Sequence, residues 1–318
     1  MNRITAWLPD RVDVRLRVIA WVYLVAQIVL VGTGGLVRLT SSGLGCPTWP
    51  SCTGNSLVNT PEMGIHGVIE FGNRLLGVLL GIIAIVAFVA VLRIRKQRPD
   101  LFWLTLLAGL GIPMQAVIGG LSVLTDLNPY VVGLHFVVSM VLVALCTAFL
   151  VRVYAVPGPR ERAVPRWFAI TAHLTSFVVA LTILVGILTT GSGPHAGDAK
   201  APRNGLDPEI LQHVHAIPAY VTFALTLVLV IGSLRIRTTP VHRYTMYLLA
   251  VEVLQIAVGL IQANTGLPPI LVGIHLTLAA MLAAAMTAVV LALKAPLATV
   301  PDAVPASAPS AASGAPTA

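Results

Sequence analysis

The sequence predicts an all-α, polytopic membrane protein with eight transmembrane helices. Only 10% of its 318 residues are charged and 57% are hydrophobic, whereas a soluble domain carries about 25% charged residues. Apolar runs of about 20 residues, long enough to cross a hydrocarbon core of roughly 30 Å, recur along the chain. A soluble helical core is therefore disfavoured.

The first apolar run begins near Val18 and is not followed by a small-residue cleavage site, so it predicts a helix rather than a cleaved signal peptide. Seven further runs follow. The eight predicted helices span residues 18–37, 66–92, 101–123, 131–151, 167–189, 211–234, 244–263 and 270–293.

Basic residues alternate between the two sides of the predicted membrane. Sixteen of the 20 Lys and Arg residues precede the first helix or follow an even-numbered helix, whereas the opposite loops hold only Lys200 and Arg203. Because cytoplasmic loops are enriched in Lys and Arg, both termini are predicted to be cytoplasmic in a plasma (inner) membrane. The net charge of +8 is thus explained by basic loops that set the membrane topology and lie beside lipid, and no nucleic-acid partner is predicted.

An internal duplication divides the chain into two halves. Four residues of the first half recur 140 positions later, as the pairs Gln115 and Gln255, Gly119 and Gly259, Gly133 and Gly273, and His135 and His275. Two pseudo-twofold-related four-helix bundles are predicted, an architecture that holds cofactors between facing side chains. The predicted domains are a cytoplasmic N-terminus (1–17), an N-terminal bundle (18–151), a cytoplasmic linker (152–166), a C-terminal bundle (167–293) and a disordered cytoplasmic tail (294–318).

Five of the eight histidines lie near the outer ends of even-numbered helices, within roughly 10 Å of the boundary at 1.5 Å per residue. They are His66, His135, His213, His215 and His275. Ionisable residues at membrane depth are usually functional, and imidazole is a common axial ligand of haem iron. One haem per bundle is predicted; the alternative is that each histidine hydrogen-bonds a neighbouring helix.

Some histidines are assigned on position alone. His213 and His215 are about 200° apart on a helix, so only one can face the bundle interior. His173, near a cytoplasmic helix end, and His242, placed in a cytoplasmic loop, are expected to be ordinary. His195 lies in an outer loop, where it either borders a haem or plays a structural part.

A polar face on the second helix brings together His66, Glu70, Asn73 and Arg74. An isolated carboxylate at this depth is costly, which leaves two interpretations open. Glu70 and Arg74 either form a structural ion pair, or Glu70 handles protons or orients a substrate beside a haem. Glu252 in the seventh helix is interpreted as structural.

Cys46 and Cys52 share an outer loop on the oxidising side, so a disulfide is predicted. Two cysteines without a nearby histidine are too few for a metal site, and the spacing is not that of covalent haem attachment. Whether the bond is structural or redox-active stays open. Cys146 is expected to be a packing residue.

Together these residues resemble the haem A synthase family over roughly residues 18–293. The resemblance rests on the two Gly-x-His segments around His135 and His275 and on the segments 34–52, 69–74 and 191–196. It implies conversion of haem O to haem A by oxidation of a porphyrin methyl group to a formyl group. It also implies a haem b cofactor in the C-terminal half and the substrate haem in the N-terminal half.

By this resemblance His215 and His275 would ligate haem b, and His135 would ligate the substrate haem. Glu70 would be the essential acid, and Cys46 and Cys52 the family's disulfide pair. Many members carry a histidine where this chain has Asn73. His66, two turns earlier on the same face, is the candidate substitute. Matching Gln212 to Glu70 aligns His215 with Asn73, which favours His215 over His213.

The expected reaction is successive hydroxylation of one methyl group to a geminal diol, which loses water to give the aldehyde. Electrons would come from an external donor, because the chain has no flavin or nicotinamide fingerprint. A haem O-producing farnesyltransferase is the expected partner, and a homo-oligomer stays open. The alternatives are a b-type cytochrome that only carries electrons and a repeat-built transporter.

Overall fold

The structure, a computed structural model, describes residues 8–236 and 239–297. Within these residues eight long helices are each apolar enough to cross a membrane, which confirms the predicted all-α membrane fold. Their ends differ from the predicted ends by at most five residues. The helices are α1 (Val14–Leu39), α2 (Gly64–Val91), α3 (Pro99–Leu124), α4 (Pro129–Val153), α5 (Arg166–Ser192), α6 (Pro208–Arg235), α7 (Thr239–Asn264) and α8 (Pro269–Ala292).

Helix starts follow ordinary capping chemistry, which explains why they lie a few residues outside the apolar runs. Proline occupies the first helical position of α3, α4, α6 and α8, where its missing N–H would be unpaired in any case. The side chains of Asp13, Asn128 and Asp207 accept hydrogen bonds from the first backbone N–H groups of α1, α4 and α6.

The helices of each half contact one another in chain order and close into a ring. In the first half, α1 packs against α2 and α4, and α3 packs between α2 and α4. In the second half, α5 packs against α6 and α8, and α7 packs between α6 and α8. The halves meet where α8 contacts α1 and α4 and where α4 contacts α5. These contacts agree with two bundles related by a pseudo-twofold axis, which stays a prediction.

Each half has its own apolar core. One buried cluster draws mainly on α1 to α4, with Tyr23 and Phe149 among its largest members, and also includes Ala280 of α8. A second draws on α5 to α8, around Phe168, Leu229 and Leu248. Large apolar side chains remain exposed along all eight helices, as expected of a surface that faces lipid rather than water.

Glycines in α1 and α8 allow the two halves to approach closely. A Cβ atom at Gly32 would lie 2.9 Å from Thr277 Oγ1, and one at Gly35 would lie 3.1 Å from Leu276 Cδ1. In α8, Gly273 packs in the same way against Leu39. Small residues at such crossings compensate for the missing hydrophobic drive between helices in lipid.

Two short strands lie beyond the helices at the end predicted to be cytoplasmic. Strand β1 (Arg160–Arg162) pairs antiparallel with β2 (Lys294–Pro296), with Glu161 opposite Ala295. The start of the predicted tail is therefore ordered against the linker between the halves. The rest of that tail, 298–318, and the first part of the predicted N-terminus, 1–7, lie outside the described residues.

Labelling of introduced cysteines tests the predicted orientation. Lys200 and Glu161 are both exposed, in loops at opposite ends of the helices. In a Cys146→Ser background, an impermeant maleimide added to intact cells should label Lys200→Cys and not Glu161→Cys. After permeabilisation both should react. Labelling of Glu161→Cys in intact cells would reverse the topology.

Candidate functional site: facing histidines at one end of the bundles

Two histidine rings of the C-terminal half face each other near the starts of α6 and α8. The ring centroids of His215 and His275 are 6.3 Å apart, and the ring planes make an angle of 76°. Iron bound to two imidazoles through bonds of about 2 Å would hold their centroids about 6 Å apart. The pair therefore fits the axial ligands of one haem.

Glycines on the neighbouring helices fix the orientation of these rings. A Cβ atom at Gly186 of α5 would lie 2.9 Å from Cε1 of His215, and one at Gly259 of α7 would lie 3.1 Å from Cε1 of His275. Nδ1 of each ring is buried and completes no hydrogen bond of normal geometry in the described part of the chain, although the backbone of Thr182 lies near the His215 ring and that of Gln255 near the His275 ring. Each imidazole thus has its Nδ1–Cε1 edge against a helix backbone.

The N-terminal half repeats the arrangement around His135. A Cβ atom at Gly119 would lie 3.1 Å from Cε1 of His135, matching the distance at Gly259. Gln115 donates from Nε2 to the carbonyl oxygen of His135 at 3.1 Å, as Gln255 does to that of His275 at 3.2 Å. The sequence repeat therefore corresponds to a repeated set of contacts.

The second imidazole differs between the halves. Where His215 stands in the C-terminal half, α2 carries Asn73, whose Oδ1 accepts a hydrogen bond from Thr33 Oγ1 at 2.8 Å. The His66 ring is exposed, with Nδ1 hydrogen-bonded to Ser42 Oγ at 2.9 Å. Among the described residues no ring contact joins His66 to His135, so the structure brings together only the C-terminal pair.

Glu70 and Arg74 fasten the loop between α1 and α2 to the N-terminal half. Glu70, only 6% exposed, accepts a hydrogen bond at Oε2 from the backbone N–H of Cys46 and pairs at Oε1 with Arg74 Nη2 at 2.6 Å. Arg74 also donates to the carbonyl oxygens of Cys46 and Thr48. The ion pair foreseen from the sequence therefore exists and is tied to a loop.

That loop contains the predicted disulfide and lies at the end of the N-terminal half where α2 and α4 begin. Cys46 is bonded to Cys52, and both are fully buried. Trp49 packs directly on Gly120 of α3, next to the Gly119 that borders His135. The loop thereby lies against α3 close to His135.

Comparison with known proteins identifies the family. The model of COX15-CtaA, described as cytochrome oxidase assembly protein, matches residues 17–287. The chain belongs to this family. It is similar to proteins named Heme A synthase from Geobacillus thermodenitrificans, 30% identical over 125 residues, and Bacillus cereus strain 03BB102, 29% identical over 119 residues. These matches cover 39% and 37% of this chain, and it spans only 38% and 37% of the relatives' lengths.

The other histidines of this COX15-CtaA member lie apart from the ring pair. His213 is exposed, so His215 is the residue of the two that meets His275. His195 Nε2 lies 2.9 Å from the carbonyl oxygen of Leu267 and so ties two outer loops together. The placement of His242 in a loop is wrong: it lies in the first turn of α7, with Nδ1 3.0 Å from Ser233 Oγ.

The sequence did not reveal what supports the histidines. Gly119 and Gly259 marked the repeat, but their contact with the rings depends on how the helices pack. Gly186 is not among the four residue pairs repeated at the 140-residue offset. Glu252, interpreted from the sequence as structural, is 3% exposed, and neither carboxylate oxygen has a hydrogen-bond partner among the described residues.

Alanine substitution at the ring-supporting glycines should reduce haem retention. Gly186→Ala and Gly259→Ala each place a methyl group against the ring of a predicted haem ligand, so we expect the haem-to-protein ratio of purified protein to fall several-fold. Gly109→Ala in α3 is the matched control, because nothing in the described chain lies within 4 Å of that Cβ. Alanine is otherwise favoured over glycine within helices, so equal haem content in all three would contradict the proposed ring support.

Proposed function

We propose that this chain is a haem A synthase, which oxidises one porphyrin methyl group of haem O to a formyl group and so supplies haem A for terminal oxidase assembly. The family match and the names of the similar bacterial proteins support the proposal. The observation that carries it is the facing His215–His275 pair, together with the repeated glycine and glutamine contacts around His135.

Each half would receive one haem. His215 and His275 would hold haem b in the C-terminal half, where both Nδ1 atoms lie on the side of the neighbouring helices. His135, packed on Gly119 like His275 on Gly259, would ligate the substrate haem O. His66 is the proposed second ligand on that side. Its Nδ1 is engaged by Ser42, which leaves Nε2 to coordinate iron.

The bound haem supplies the oxidation–reduction chemistry. The protein positions the substrate and controls water and protons. The disulfide loop, held by Arg74, shields the N-terminal site from outer solvent. Because Arg74 engages Glu70 at Oε1, Oε2 is the atom at which Glu70 would take up a proton or orient the substrate, after release from the Cys46 N–H.

The proposal also names the electron source, the substrate source and the membrane location of the enzyme. Electrons would come from a donor outside the chain, and a haem O-producing farnesyltransferase would supply the substrate through the membrane. The protein would lie in the plasma (inner) membrane with both termini cytoplasmic. A homo-oligomer stays open.

A b-type cytochrome that only carries electrons is the alternative function, and the family does not favour it. A preparation from cells that make haem O distinguishes the two functions. The enzyme should contain haem O or haem A beside haem b after extraction and chromatography. A carrier should contain haem b alone.

Removal of the Glu70 carboxylate tests its proposed role. In cells that produce haem O, Glu70→Gln should lower haem A formation by about 100-fold, the lower range of a proton-transfer contribution, with haem O or a hydroxylated intermediate accumulating. Glu62→Gln, at an exposed carboxylate before α2, is the control and should form haem A normally. Undiminished haem A in Glu70→Gln would remove Glu70 from the mechanism.

A further inference from the structure

A second buried carboxylate lies deep in the C-terminal half. Glu252 of α7 is 3% exposed, and its carboxylate interacts with Thr226 of α6. The fully buried Thr226 Oγ1 and both Glu252 oxygens complete no hydrogen bond within residues 8–236 and 239–297. An unpaired charge in such surroundings is very unfavourable. Orphaned buried polar atoms commonly indicate bound water or a proton that the group exchanges.

The two side chains lie on the same helix faces as the histidine pair. Glu252 is seven residues along α7 from Gly259, which borders His275, and this separation is about 10 Å on one face of a helix. Thr226 is 11 residues along α6 from His215, again on one face. The carboxylate therefore lies below the histidine pair, inside the same ring of helices and without direct contact to either ligand.

Buried polar side chains continue from Glu252 toward the α6–α7 turn. Thr245 of α7 and Ser233 of α6, each seven residues further on, are 0% and 2% exposed. Ser233 Oγ lies 3.0 Å from Nδ1 of His242, next to that turn. On the other side, Thr222 Oγ1 lies 3.3 Å from Thr182 Oγ1. We call these residues, together with Glu252 and Thr226, the polar row.

The N-terminal half lacks most of this row, although the two halves share their helix order. The 140-residue repeat places Ile112 at the position of Glu252, and alignment of Asn73 with His215 places Leu80, Ala84 and Val91 at those of Thr222, Thr226 and Ser233. Packing of the bundle therefore does not require polar groups at these positions. Thr105, also fully buried, stands at the position of Thr245, so the positions that are polar only in the C-terminal half are those of Glu252, Thr222, Thr226 and Ser233.

Other ionisable groups do not pair with the carboxylate. The helices that pack against α7 are α6 and α8. Their titratable or charged side chains are Glu209, His213, His215, Tyr220, Arg235 and His275, and α7 itself adds His242, Arg243, Tyr244 and Tyr247. Within the described chain none of them forms a hydrogen bond or ion pair with Glu252.

We propose that Glu252 is a proton-binding site linked to the oxidation state of the haem held by His215 and His275. One electron from a reduced donor outside the chain converts ferric to ferrous iron. One proton from water at the α6–α7 end converts the Glu252 carboxylate to the acid. Reoxidation releases both. The polar row extends from the carboxylate toward that end, where the proton would enter.

The physical reason is charge balance in a medium of low dielectric constant. Reduction lowers the charge of the haem core by one, at a separation from the carboxylate of roughly 10 Å or more along the helix axes. The electrostatic coupling between the two groups is much stronger inside a membrane than in water, and protonation of Glu252 compensates for the added electron. The inference rests on the proposed function only in that it needs a haem between these two histidines.

Redox titration of the purified holoprotein against pH tests the proposal. An electrode with soluble mediators supplies the electrons, and the haem absorption band reports the oxidation state. An ionised Glu252 disfavours reduction, so the midpoint potential should fall as pH rises through the range in which the group ionises. The slope should approach about 59 mV per tenfold change in proton concentration, the limit for one proton per electron.

Glu252→Gln should abolish this part of the pH dependence and hold the potential near the acidic limit of the wild type, with an unchanged bis-histidine spectrum. Glu209→Gln, at an exposed carboxylate in the first turn of α6, is the matched control and should titrate like the wild type. The contribution of Glu252 is the difference between the wild-type and Glu252→Gln curves of midpoint potential against pH, because the haem propionates titrate in every variant. A Glu252→Gln curve that overlays the wild type would overturn the proposal.

Infrared difference spectroscopy of the wild type keeps the test valid if Glu252→Gln loses its haem. Reduction should produce a protonated-carboxyl band that shifts when glutamate is labelled with carbon-13. Absence of such a band together with a pH-independent potential would also overturn the proposal. These measurements need only bound haem b, so a failure to form haem A would remove the proposed function and leave the Glu252 result standing.

Discussion

The close approach of imidazole rings to helix backbones at glycine is the contact on which the structure's chemistry depends. His135, His215 and His275 each pack an edge against a glycine of the neighbouring helix. Because a side chain there would push the ring into the bundle, the glycines set how far apart His215 and His275 stand. That distance suits a single metal atom between them.

We propose that the two halves use the same helix arrangement for different purposes. The C-terminal half pairs two histidines and places a polar row beneath them. The N-terminal half keeps one of these positions as His135, replaces the other by Asn73 and adds an outer loop closed by the Cys46–Cys52 disulfide. Glu70 and Arg74 form an ion pair and also bind that loop. The pair therefore holds the loop over the proposed substrate site.

The fold could be predicted from the sequence because it depends on local patterns. Apolar run length defined eight helices, and a fixed 140-residue offset linked His135 to His275. Contacts between helices could not be predicted, since they depend on rotation and crossing. The contact of Gly186 with the His215 ring therefore could not be predicted. The sequence grouped His66 with Glu70 and Asn73, but the contact of His66 with Ser42 depends on the path of the loop.

The role of Glu252 also could not be predicted from the sequence. A single acidic residue in an apolar helix is compatible with an ion pair, a hydrogen bond or a proton site, and the sequence offers no way to choose. Only the packed bundle shows that the carboxylate meets Thr226 and that neither completes a hydrogen bond among the described residues.

The most direct measurement of the central claim is the electron paramagnetic resonance spectrum of the ferric protein, prepared without a source of haem O so that only the C-terminal haem is bound. Two imidazole ligands predict a low-spin signal that becomes high-spin in His275→Ala and returns when free imidazole is added. An unchanged low-spin signal in both His215→Ala and His275→Ala would contradict the assignment of these two residues as the ligands.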